Sequence, residues 1–184
     1  FGDADVIEAT RNALETDYGV TAHYNGADLS KPDEIEAMMK DADAKFGGVD
    51  ILINNAGAAW GAPAVEHQLD AWEKVINLNL TAPFLVSQAV GKLSMIPRKY
   101  GKIINIASIA GLVGTVPGFM PTIAYNSSKG GMVNFTRALG AEWAPYNITV
   151  NAIAPGVFPS KMSKGMIDRS EEYILGQTPM RRLG

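Results

Sequence analysis

The feature that most limits the fold of this chain is its alternation of short, unbroken apolar runs with helix-length amphipathic stretches. Residues 49–53, 102–107 and 148–153 are short and rich in Ile and Val, and they do not alternate apolar with polar. A run of that kind needs cover on both sides, which in a parallel sheet means helices on both faces. The expected class is therefore α/β, a doubly wound parallel sheet of Rossmann-like form. The 184 residues show no internal repeat or low-complexity tract, so residues 1–184 read as one domain.

The apolar positions of 3–18 recur at three- and four-residue steps, predicting a helix stopped by Gly19. A short strand is expected over 20–24. Ser30 with Asp33 three residues on predicts a capping box for a second helix striped by Ile35, Met38, Met39, Ala42 and Phe46. A long helix is expected from 69 to 95, bent at Pro83, and another from 122 to 143.

Composition removes several classes of function. A net charge of −3 offers no basic field for a phosphate backbone, so nucleic acid is not an expected partner. With no cysteine and only His23 and His67, no thiolate nucleophile, metal site or Ser-His-Asp triad is expected. The lack of cysteine fits a cytoplasmic protein. Residues 103–128 carry no charge, but Asn105, Ser108, Thr115, Pro117, Pro121 and Asn126 interrupt them. A membrane span needs about 20 predominantly apolar residues, so none is expected.

In doubly wound sheets ligands bind beyond the carboxyl ends of the strands. Small and polar residues gather at those ends here: Asn54-Asn55-Ala56-Gly57, then Ser108, then Pro155-Gly156. Plain turn chemistry would also place them there. The pair Tyr125 and Lys129 is more pointed, because positions i and i+4 share one helix face. An ammonium about 5 Å from a phenolate, at an effective dielectric near 20, stabilises it by about 3 kcal/mol. That moves a phenol from about 10 by roughly two units, toward proton transfer near neutrality. A core tyrosine beside a solvated lysine has the same spacing; the upstream Asn-Asn-Ala-Gly favours the chemical reading.

Taken in order, Asn54-Asn55-Ala56-Gly57, Asn79, Ser108, Tyr125-x-x-x-Lys129 and Asn151-Ala152-Ile153-Ala154-Pro155-Gly156 resemble the short-chain dehydrogenase/reductase family over essentially the whole chain. The resemblance implies an NAD- or NADP-dependent oxidoreductase moving a hydride between nicotinamide and a secondary alcohol or ketone. It implies that Tyr125 exchanges the proton of the substrate oxygen, Ser108 holds that oxygen, and Lys129 tunes Tyr125 and grips the nicotinamide ribose. Asn79 would hold a water linking Lys129 to solvent. Asp28 would sit by the adenine, Asn55 and Gly57 by the ribose, and Pro155 and Gly156 against the nicotinamide. Ser160 stands where the family has a cofactor-contacting threonine. A homotetramer is also implied, built on the two long helices.

The family's opening strand and glycine-rich turn (T-G-x-x-x-G-x-G) have no counterpart in this sequence. The resemblance thus implies a dinucleotide-binding and catalytic domain incomplete at both ends, part of a longer gene product, and weak or inactive by itself. The stretch that usually decides NAD against NADP has no match either. Residues 1–30 are similar to 3-hydroxybutyrate dehydrogenase, but Ala58-Ala59-Trp60 and Ile109-Ala110 replace the residues that hold its substrate carboxylate. The rest is more similar to 3-oxoacyl-carrier-protein reductase and gluconate 5-dehydrogenase types. The longer loop between Ser108 and Tyr125, with Trp60, Phe119 and Met120, suits an apolar or extended substrate. The main rival is a catalytically silent binding or assembly module. A Ser–Lys hydrolase lacks both G-x-S-x-G and S-x-x-K.

Overall fold

The computed structural model describes residues 3–114, 120–161 and 163–184. Helix α1 (Ala4–Tyr18) starts at Asp3, whose carboxylate accepts from the Asp5 amide, and ends at Gly19 in the left-handed region. None of its residues is buried. Residues 20–24 join no ladder among the described residues, contrary to the expected strand. A strand forms only where a neighbour takes its backbone groups. Side chains hold this stretch instead: Glu15 accepts from the Ala22 amide, and Asp41 pairs with His23 and takes a bond from Asn25.

Helix α2 (Pro32–Phe46) is capped differently from the expectation. Lys31 occupies the cap position without a side-chain bond, and Pro32 opens the helix, where its missing N–H and fixed φ are an asset. Ser30 instead gives its amide to Asp28, and Glu34 reaches back to the Asp28 amide.

The sheet is parallel, in the order β1 (Ile51–Asn54), β2 (Gly101–Ile106), β3 (Ile148–Ile153). This is the Rossmann-like α/β class that the apolar runs predict. Ladder register aligns Leu52 with Ile103 and Ile103 with Val150, so one row of side chains faces the helices. That face packs against Ile35 and Met39 of α2 and, further along, Val86, Val90, Leu139 and Trp143. On the opposite parity Ile51, Ile53 and Ile153 remain 59%, 56% and 53% exposed. Within the described residues, then, the helices that form the core cover one face of the sheet.

The predicted long helix is one helical run with two wider turns. Helix α3 (Leu69–Ile76) leads through a π-turn (Asn77–Thr81) into α4 (Ala82–Val90), then a second π-turn (Gly91–Met95) and the short α5 (Ile96–Arg98). The Ala82 amide donates to the Asn77 carbonyl and the Ile96 amide to that of Gly91. Each π-turn ends two residues before a proline, Pro83 or Pro97. A proline lacks its own donor and crowds the carbonyl four residues back. Widening the preceding turn absorbs that without breaking the helix.

Helix α6 (Ile123–Trp143) carries Tyr125 and Lys129, and α7 (Lys164–Gln177) follows β3. The sequence reading named no helix at α7, whose only buried residue is Ile174. Trp143 closes the core by lying flat against Gly91, where any Cβ would overlap its six-membered ring. Gly91→Ala is therefore expected to lower stability by about 1–3 kcal/mol, read from urea unfolding. An unchanged midpoint would show that the indole has room to retreat.

Candidate active site

The carboxyl ends of the three strands bound a cleft of about 170 Å³. Asn55 and Gly57 follow β1, Ser108 follows β2, and Pro155 and Gly156 follow β3; all of them line it, as do Tyr125 and Lys129 from α6. Ile106 and Ala107, which the sequence reading did not single out, complete the lining. Their contribution comes from sitting on the strand end.

Lys129 is 5% exposed. Its Nζ donates to the Ile106 carbonyl at 2.6 Å and lies 5.6 Å from the centre of the Tyr125 ring, within cation–π range. No carboxylate pairs with it among the described residues. Burial accordingly pushes its pKa below the ordinary 10.5. The Ser108 hydroxyl accepts from the Ala110 amide at 3.1 Å, capping a short 3₁₀ turn (Ile109–Gly111). That bond uses one lone pair and leaves the O–H as a donor. Gly111 makes the approach possible: a Cβ there would fall 2.5 Å from the Lys129 carbonyl carbon and 2.7 Å from the Gly130 nitrogen. No spacing rule marks Gly111 in the sequence.

Asn79 lies just behind the cleft, fully buried in the first π-turn. Its Oδ1 accepts from the Ala58 amide at 2.8 Å, and its Nδ2 donates to the Ala58 carbonyl and to Ser128 Oγ, both at 2.9 Å. Ser128 in turn donates to the Tyr125 carbonyl. Both amide protons of Asn79 are thus spent on protein, and Pro83, four residues on, has no N–H to offer the Asn79 backbone carbonyl. Gly57 lets the loop close on this pair: a Cβ would lie 3.2 Å from Asn79 Oδ1 and 3.7 Å from Lys129 Nζ.

Two expected cofactor contacts stand outside the cleft lining. The Asp28 carboxylate accepts from the Ser30 amide, a bond that holds its pKa down. Ser160 is exposed and bonded to Ser163. Trp60 and Met120 are half exposed; Gly61 lies against Met120, and the Ala62 amide donates to the Pro121 carbonyl, tying the two loops together. Phe119 and the centre of the long loop (115–119) lie outside the described residues. Among the described residues no three His, Asp or Glu side chains converge on a metal position, and no helix is long and apolar enough to cross a membrane.

A parallel α/β sheet with a cleft at its strand ends defines a Rossmann-like protein. The model of the short chain dehydrogenase family matches residues 3–171, and the chain belongs to that family. It is 42% identical over 161 residues to 2-dehydro-3-deoxy-D-gluconate 5-dehydrogenase of Pseudoalteromonas atlantica, covering 85% of this chain and 61% of that protein. It is 38% identical over 158 residues to 3-oxoacyl-[acyl-carrier-protein] reductase of Synechocystis, covering 86% and 61%. The solved structure of NAD+-bound xylitol dehydrogenase superposes with a TM-score of 0.86 at 29% identity, covering 99% of this chain and 74% of that one. The chain spans about three-fifths of the length of the curated relatives it matches.

Lys129 gives the site a measurable signature. Its folded pKa lies below its unfolded value, so the unfolded chain holds more protons there. Stability therefore rises with pH across the window between the lowered value and 10.5. Lys129→Met is expected to raise Tm by a few degrees at neutral pH and to flatten that rise, both read by calorimetry at several pH values. A lower Tm in the variant would show that the Ile106 carbonyl and the Tyr125 ring fully compensate the buried charge.

Proposed function

We propose that this chain is the catalytic part of an NAD(P)-dependent oxidoreductase acting on a secondary alcohol or the matching ketone. One observation carries the reading: the Lys129 ammonium, buried and without an anionic partner among the described residues, stands beside the Tyr125 ring in a cleft that Ser108 also lines. Ser108 donates to the substrate oxygen and orients it. Tyr125 takes the proton of that oxygen in the oxidation direction and returns it in reduction. Lys129 hands the proton on to a water held by Asn79, which links it to solvent.

The cleft fits a nicotinamide nucleotide at its strand-end side. Gly57 keeps the floor low where a Cβ would crowd Asn79, and Asn55, Pro155 and Gly156 present small or polar surface. When bound, the nicotinamide supplies or accepts the hydride. Lys129 would hold its ribose, and Asp28 and Ser160 would reach it only after turning from their present partners. Ala58-Ala59 and Ile109-Ala110 place no charged side chain near the cleft, so the substrate class is neutral or extended rather than a small anion. A homotetramer packed through the two long helical stretches, 69–95 and 122–143, in the cytoplasm, completes the reading.

In the whole protein, a panel of secondary alcohols with NAD+ or NADP+ is expected to yield reduced cofactor absorbance. Tyr125→Phe is expected to lower kcat by about 10²–10⁴ with an unchanged circular dichroism spectrum. No oxidation of any alcohol, or a fully active Tyr125→Phe, would end the proposal. The 184-residue chain lacks a glycine-rich phosphate turn, so calorimetric titration with NAD+ or NADP+ is expected to show weak or no binding. A micromolar Kd would mean that the strand-end cleft suffices by itself.

A further inference from the structure

A chain of buried polar side chains runs between the elements that bear the candidate site, and none of its members lines the cleft. Asn54 ends β1 beside Asn55, and Asn105 stands in β2 three residues before Ser108. Ser87 lies about two turns beyond Asn79 along the same helical run, and Thr136 about two turns beyond Lys129 on α6. Asn54 Nδ2 donates to Asn105 Oδ1 at 2.8 Å and to Ser87 Oγ at 3.2 Å. Asn105 Nδ2 donates to Thr136 Oγ1 at 2.9 Å, and Thr136 donates to the Met132 carbonyl at 2.8 Å.

In the structure the bonds of this chain run one way. Thr136 gives its single proton to Met132, so towards Asn105 it only accepts. Asn105 accordingly turns its amino group to α6 and its oxygen to β1, where Asn54 donates. Turning the Asn105 amide over would set donor against donor towards Asn54 and, while Thr136 keeps its bond to Met132, acceptor against acceptor towards α6. Asn105 is fully buried, so bulk solvent does not replace a lost partner. Apolar packing between a helix and a sheet is non-directional and allows sliding along the axis; a buried amide with both ends committed does not.

We propose that Asn105 and Thr136 are positioning residues that set the height of α6 against β2, and thereby hold Lys129 and Tyr125 level with Ser108. The catalytic consequence rests on the oxidoreductase reading above; the positioning itself does not. Thr136→Val keeps the shape and removes the acceptor, whereas Thr136→Ser keeps the acceptor. In the whole protein, Thr136→Val is expected to lower kcat about tenfold with KM within about twofold, and Thr136→Ser to retain the parent values. Ile35→Val in the core under α2, used as a control for lost stability, is expected to leave kcat unchanged.

Acetic anhydride labelling of Lys129 in the 184-residue chain, located by peptide mass spectrometry, reads the same positioning without turnover. Labelling is expected to rise several-fold in Thr136→Val and to stay at the parent rate in Thr136→Ser and Ile35→Val. Labelling of Thr136→Val at the control rate overturns the inference, as does an unchanged kcat in an active enzyme. Raised labelling in a protein that oxidises no alcohol upholds the positioning and sinks the oxidoreductase reading alone.

Discussion

A buried ammonium without an anionic partner among the described residues organises the site. Lys129 exchanges hydration for one carbonyl bond and the face of a tyrosine ring, which is poor compensation for a desolvated charge. The neighbourhood is shaped around that constraint. Gly111 lacks a side chain where any Cβ would press on the Lys129 backbone, Gly57 lacks one where a Cβ would press on Asn79, and Asn79 holds the Ala58 loop by both of its backbone groups. Stability given up at such a position is the ordinary mark of a group kept for chemistry.

The helical run from α3 to α5 shows how a local irregularity serves the site. Pro83 would kink a regular helix, yet the chain answers with one wide turn, and Asn79 sits inside it. Widening the turn shifts the helix face there, so that the Asn79 side chain meets the loop after β1 and Ser128 of α6. Proline, π-turn and buried asparagine form one device. Its second copy before Pro97 places Gly91 against Trp143 and serves packing alone.

Much of this was legible in the sequence because the relevant signals are local. Apolar runs marked the three strands to within two residues, and the i, i+4 spacing put Tyr125 and Lys129 on one helix face. The misreadings came from features that depend on distant partners or on neighbouring competition. Residues 20–24 have strand composition but no ladder among the described residues. Ser30 has the right residue type for a cap, but Pro32 claims the first turn. Asn79 was picked out by its place among the motifs, but its side chain is spent on Ala58 and Ser128, contacts made across 21 and 49 residues.

The sequence by itself determined the parallel α/β class, the three strand ends where small and polar residues collect, and the family to which the chain belongs. Periodicity and short motifs encode those directly, since each is a property of neighbours along the chain. Tertiary structure alone decided that Lys129 is buried and bonded to Ile106, that Gly111 admits α6 to the end of β2, and that Asn105 and Thr136 join the two. Those depend on which surfaces meet when the helices close over the sheet, and burial and bond direction have no counterpart in spacing along the chain.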